Sequence, residues 1–65
     1  MTHATTDDTM RLFNRLTEAA EACARAGLTQ TAVGIYHTAS ICGDATDAER
    51  QVTIDRRAEL NKQST

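Results

Sequence analysis

The chain has 65 residues, with seven basic and nine acidic side chains and a formal net charge of −2. Of its 26 apolar residues, 11 are Ala and two are Cys, which leaves only 13 large ones and no Trp or Pro. Such numbers exclude a multidomain enzyme, a membrane-spanning chain and a disulfide-rich scaffold, and a pI of about 5.5 argues against a strongly nucleic-acid-binding or membrane-surface protein.

Residues 1–5 carry no periodic signal and read as a frayed tail. Thr5 or Thr6 can then cap a helix, with Asp7 and Asp8 placed at the positive end of its dipole. The spacing predicts a helix from Asp7 to Ala26. Met10, Phe13, Leu16, Ala20 and Cys23 fall on one face, widened by Leu12, Ala19, Ala22 and Ala26. Arg11, Arg15, Glu18, Glu21 and Arg25 line the other side, and Glu21–Arg25 is a favourable i,i+4 pair. Gly27 breaks the pattern, as glycine does just past a helix end, and Thr29 offers an N-cap for the next helix.

A second helix is predicted from Gln30 to Cys42, with a stripe of Leu28, Ala32, Ile35, Ala39 and Cys42. Val33, Tyr36 and Ile41 lie off that stripe and give a second apolar surface. Residues 26–43 contain no Asp, Glu, Lys or Arg, a run of 18 in a chain that is 25% charged. A helix apolar on most sides is buried on most sides. Thr, Gln, His, Ser and Gly interrupt the run, so it does not read as a membrane span.

Gly43-Asp44-Ala45 is a second break. Thr46-Asp47-Ala48-Glu49 has capping-box spacing and starts a third helix, predicted from Asp47 to Lys62. Its apolar residues Ala48, Val52, Ile54, Ala58 and Leu60 share no clean face, and Gln51–Ile54 alone could read as a short strand. Arg50, Arg56, Arg57 and Lys62 make this the basic part of the chain, and 63–65 read as a second tail.

Thirteen large apolar side chains are few for a chain that must order 65 residues, and small chains close such a gap with disulfides, a metal or a second copy. The N-terminus shows neither a basic n-region nor an apolar h-region, which points to a cytoplasmic, reducing location. In a hairpin turning near 27–29, Cys23 would lie about 6 Å and Cys42 about 20 Å from the turn, whereas a bridge needs its Cα atoms within roughly 7 Å. The two cysteines therefore read as small core residues. Cys23, Cys42, His3 and His37 lack zinc-ligand spacing, so no metal and no cofactor is expected. Self-association is the remaining device.

No Gly-rich phosphate loop, nucleophile elbow or paired carboxylates in a cleft can be read, and no catalytic residue is assigned. His37 is placed for hydrogen bonding at an interface or rim, and Tyr36 for packing with its hydroxyl at the edge. The expected fold is all-α: a helical hairpin plus a third helix in one domain, assembled as a dimeric bundle. Its middle helix would sit between the first helix and a second copy or a target. The expected function is a non-enzymatic, protein-binding adaptor, regulator or inhibitor, with Val33, Tyr36, His37 and Ile41 in contact with the partner.

The segment Cys23-Ala24-Arg25-Ala26-Gly27-Leu28-Thr29-Gln30-Thr31-Ala32-Val33 resembles the centre of a helix-turn-helix motif. Cys23, Gly27, Leu28 and Val33 stand at its small, Gly, apolar and Val positions. The resemblance spans about residues 19–38 and implies the alternative function, a DNA-binding regulator. Thr29, Gln30 and Thr31 would face base edges, and Arg25 would contact phosphate, joined by Arg50, Arg56 and Arg57 if these converge. The implied recognition helix departs from the pattern in having no Lys or Arg.

Overall fold

The computed structural model describes residues 11–63. The expected start at Asp7, the cap at Thr5 or Thr6, Met10, His3 and the end at 64–65 lie outside the described residues. Within them the chain is all-α, with α1 at Leu12–Arg25, α2 at Thr29–Ser40 and α3 at Asp47–Gln63. No helix among the described residues is long and apolar enough to cross a membrane.

α1 does not run unbroken through residue 11. Arg11 is extended (φ −62°, ψ 134°) and stands at the N-cap without a side-chain cap of its own. The cap comes from the α2–α3 loop: Leu12 N–H donates to Asp44 Oδ2 at 2.8 Å and Phe13 N–H to Asp44 Oδ1 at 3.1 Å. A carboxylate thus satisfies two N–H groups that a helix start leaves without intrahelical partners. At the other end, Leu28 N–H reaches Cys23 O at 2.9 Å and Gly27 N–H reaches Ala24 O at 3.1 Å, the paired bonds of a Schellman ending. That ending needs a left-handed residue, and Gly27 has φ +86°.

α2 starts one residue earlier than expected and stops two earlier. Ala32 N–H already donates to Leu28 O at 3.0 Å, so Thr29 is helical and not a cap. Ile41 is the C-cap, and Cys42 lies in the loop beyond it. α3 begins with the predicted capping box: Glu49 N–H donates to Thr46 Oγ1 at 3.1 Å, and Thr46 N–H donates to Glu49 Oε1 at 2.9 Å. Gln51–Ile54 is helical.

α2 packs against both α1 and α3. The third helix, through Leu60, therefore covers Tyr36 and Val33, part of the second apolar surface on which another copy or a target is expected. The core forms two clusters. One joins Phe13, Ala39, Cys42 and Ala45, with Leu16 against them. The other joins Ala20, Ala32, Tyr36 and Leu60, with Cys23, Ala24, Val33 and Ile35 alongside. Ala20 and Ala32 are fully buried, and their small side chains let α1 and α2 approach closely. Burying Phe13 and Leu60 is worth roughly 1.5–3 kcal/mol each. Leu12, Ala19, Ala22 and Ala26 do not widen the buried face; all four are exposed, because α3 takes the other flank of α2 and leaves that side of α1 uncovered.

Candidate protein-binding face

α3 meets the rest of the chain through a mostly polar stripe. Arg50, Thr53, Arg56, Arg57 and Leu60 recur at helical spacing, and each is buried or half-buried. Val52 and Ile54 point outward and are exposed. The inward arginines carry specific bonds. Arg56 grips Glu21 of α1 through Nε–Oε2 at 2.7 Å and Nη2–Oε1 at 3.2 Å. Glu21 also accepts the hydroxyl hydrogen of Tyr36 on α2, so one carboxylate ties all three helices. The Arg56 and Tyr36 hydrogen bonds hold the Glu21 carboxyl below the usual range. Burial, then donation to Glu21, pushes the Tyr36 hydroxyl up to about 12.

A second tie closes the other end. Arg11 donates to both oxygens of Glu49 at 3.0 and 2.6 Å and to Asp44 O at 2.6 Å, and its guanidinium lies 5.8 Å from the Phe13 ring centroid. Arg11, with help from the Thr46 N–H, holds the Glu49 carboxyl down at about 2. Asp44 is likewise lowered, first by the Cys42 thiol (Sγ–Oδ1 3.1 Å), then by the Leu12 and Phe13 N–H groups and the Arg11 charge. Both cysteines are free thiols, and they belong to different core clusters.

With α1 and α3 on its two flanks, α2 keeps one open face. Gln30, Thr31, Gly34, His37, Thr38 and Ile41 are the exposed residues, and they recur along one side of the helix. Ile41 is 70% exposed at the end of that face. A Cβ built on Gly34 meets nothing within 4 Å, so another backbone has room to approach. Of the four residues expected to touch a partner, the structure brings His37 and Ile41 together on this face, one turn apart. Val33 is half-buried against the second core cluster, and Tyr36 is only 5% exposed with its hydroxyl engaged, so neither stands on the open side.

The residues of the alternative reading scatter. Arg25, Gln30 and Thr31 are exposed and Thr29 is half-buried. Arg50 donates to Ala45 O and Asp47, Arg56 to Glu21 and Glu59, and Arg57 to Ser40 and His37, so these cations are spent within the chain. The Glu21–Tyr36–Arg56 tie escaped the sequence reading, which paired Glu21 with Arg25. Its signal is the polar stripe of α3 at helical spacing, which the sequence shows only as the basic part of the chain. A shallow groove on the outer side of α1, lined by Thr17, Glu18, Glu21, Ala22 and Arg25, draws on one helix alone. Among the described residues, no three His, Cys, Asp or Glu side chains are grouped to hold a metal ion. No family model, curated protein or solved structure matches this chain.

Proposed function

We propose that this chain is a non-enzymatic protein-binding module, a small regulator, adaptor or inhibitor, that docks through the open face of α2. The observation that carries the reading is this face itself: Gln30, Thr31, Gly34, His37, Thr38 and Ile41 contain no Asp, Glu, Lys or Arg in a chain that is 25% charged. Charged residues are depleted at the centre of protein interfaces. A second copy is the partner this face fits most simply, because two uncharged faces related by a two-fold axis bring no like charges together. Leu12, 54% exposed and capped by Asp44 three residues past Ile41, adds an apolar side chain at the same end.

Ile41→Arg tests the reading. Ile41 projects into solvent, so helicity by circular dichroism should be unchanged. Self-association by light scattering, or capture of a partner, should be lost. Unchanged mass and unchanged binding would reject the assignment. The helix-turn-helix alternative draws support from the tight turn at Gly27 and the exposed Gln30 and Thr31, but the same face offers phosphates no Lys or Arg. Retention on heparin, with DNA affinity falling steeply as salt is added, would favour that alternative; flow-through at neutral pH would favour the protein-binding reading.

A further inference from the structure

The contact between α2 and α3 contains a group whose hydrogen-bonding role reverses on taking up a proton. His37 Nδ1 lies 3.1 Å from Nη1 of Arg57. The same Nη1 donates to Ser40 Oγ at 3.2 Å, and Ser40 Oγ donates to the His37 carbonyl at 2.7 Å. A guanidinium has only donors and stays charged throughout the range in which proteins are folded. The contact therefore requires Nδ1 to accept, which places the proton of the neutral ring on Nε2. A protonated ring carries N–H on both nitrogens. It would turn a donor toward a donor and set two positive charges face to face.

The ring is exposed to solvent, and the charged groups on the neighbouring elements are already engaged. α2 itself contributes no charged side chain, only Tyr36 beside His37. On α3, Arg57 is the contact; Arg50, further along the same stripe, is held by Ala45 O and Asp47, and Arg56 by Glu21 and Glu59. α1 lies on the other flank, and its Glu21 is engaged by Tyr36 and Arg56. In the loop, Asp44 is engaged by Leu12, Phe13 and Cys42.

We propose that His37 and Arg57 form a proton-operated latch between α2 and α3, closed while the imidazole is neutral and released when it is protonated. Release frees Arg57 from His37 and places a positive charge one turn from Ile41, on the face that is otherwise uncharged. Protonation of the ring therefore weakens docking there. This second consequence rests on the binding reading above, whereas the latch does not.

Nitrogen-15 spectra of the full chain test the latch, recorded from about pH 8 to pH 5, the span over which an imidazole titrates. At the upper end the His37 ring should be the Nε2–H tautomer. The Arg57 guanidinium signals should then shift with the same midpoint as the ring. His37→Asn, which offers a carbonyl acceptor that does not titrate, should remove that shift and also identify the His37 ring signals against those of His3. An Nδ1–H tautomer at pH 8, Arg57 signals that hold still while the ring titrates, or an Arg57 shift that persists in His37→Asn would each overturn the proposal. Ile41→Arg reports on docking and the ring titration on the latch, so either can fail alone.

Discussion

Glu21 sits where three helices meet, and its two oxygens accept from Tyr36 and Arg56. The Tyr36 hydroxyl can itself accept from Arg56, but the guanidinium only donates, so Arg56 cannot replace Glu21 as the acceptor for Tyr36. Tyr36→Phe removes one neutral donor and should cost about 1 kcal/mol, while Glu21→Ala takes the acceptor from the Tyr36 hydroxyl and leaves Arg56 with Glu59, and should cost about 2 kcal/mol after allowance for partial exposure. The double variant should cost less than the sum of the two, because their shared bond is lost only once. Urea unfolding of the four proteins measures this, and strict additivity would show that the bond contributes nothing. The chain gave two hints of the tie, a tyrosine in an uncharged run and arginines spaced along α3. Pairing them with Glu21 needs the angle at which α3 crosses, and no spacing within one helix contains that angle.

At the scale of the elements, two glycines with open surroundings should respond in opposite directions to the same change. A Cβ meets nothing within 4 Å at either Gly27 or Gly34, so backbone conformation alone decides. Gly27 is left-handed, and Gly27→Ala should destabilise by about 1–2 kcal/mol. Gly34 lies inside α2, and Gly34→Ala should stabilise by about 1 kcal/mol. Thermal midpoints should therefore move apart by roughly 10–20 °C, given about 4–8 °C per kcal/mol at this chain length. Equal shifts would contradict the turn geometry. The helix ends divide along the same line between local and distant causes. Gly27 and the Thr46–Glu49 box act within a few residues and can be read from spacing. The start of α1 depends on Asp44, more than thirty residues away, which spacing within the helix does not show.

For the whole molecule, the ionised ties define a pH window. Glu21 and Glu49 have folded values below the ordinary 4.5, with Glu49 at about 2, so the unfolded chain takes up these protons first. Their contribution is complete above 4.5 and is lost as pH falls from there toward 2. Tyr36 runs the other way: raised from 10 to about 12, it contributes fully below 10, and that contribution is lost as pH rises toward 12. Stability by urea unfolding should fall on both sides of this window, and salt should shrink the acid limb because Glu49 is partly exposed. Glu21→Gln with Glu49→Gln should reduce the acid limb and leave the part that Asp44 contributes; an unchanged limb would assign it to other carboxylates.

The order and approximate extent of three helices, the glycine turn, the capping box and an uncharged middle helix were all legible in the chain, because each follows from contacts within about four residues. Which side of that middle helix stays open was not. Val33 and Tyr36 belong to a second apolar surface that periodicity leaves unassigned between solvent, a partner and the chain itself. α3 settles the assignment by turning Thr53, Leu60 and three arginines inward and leaving Val52 and Ile54 outside. A polar stripe makes that choice because Glu21 and Ser40 supply it with bonds, and those acceptors face α3 only once the helices have crossed.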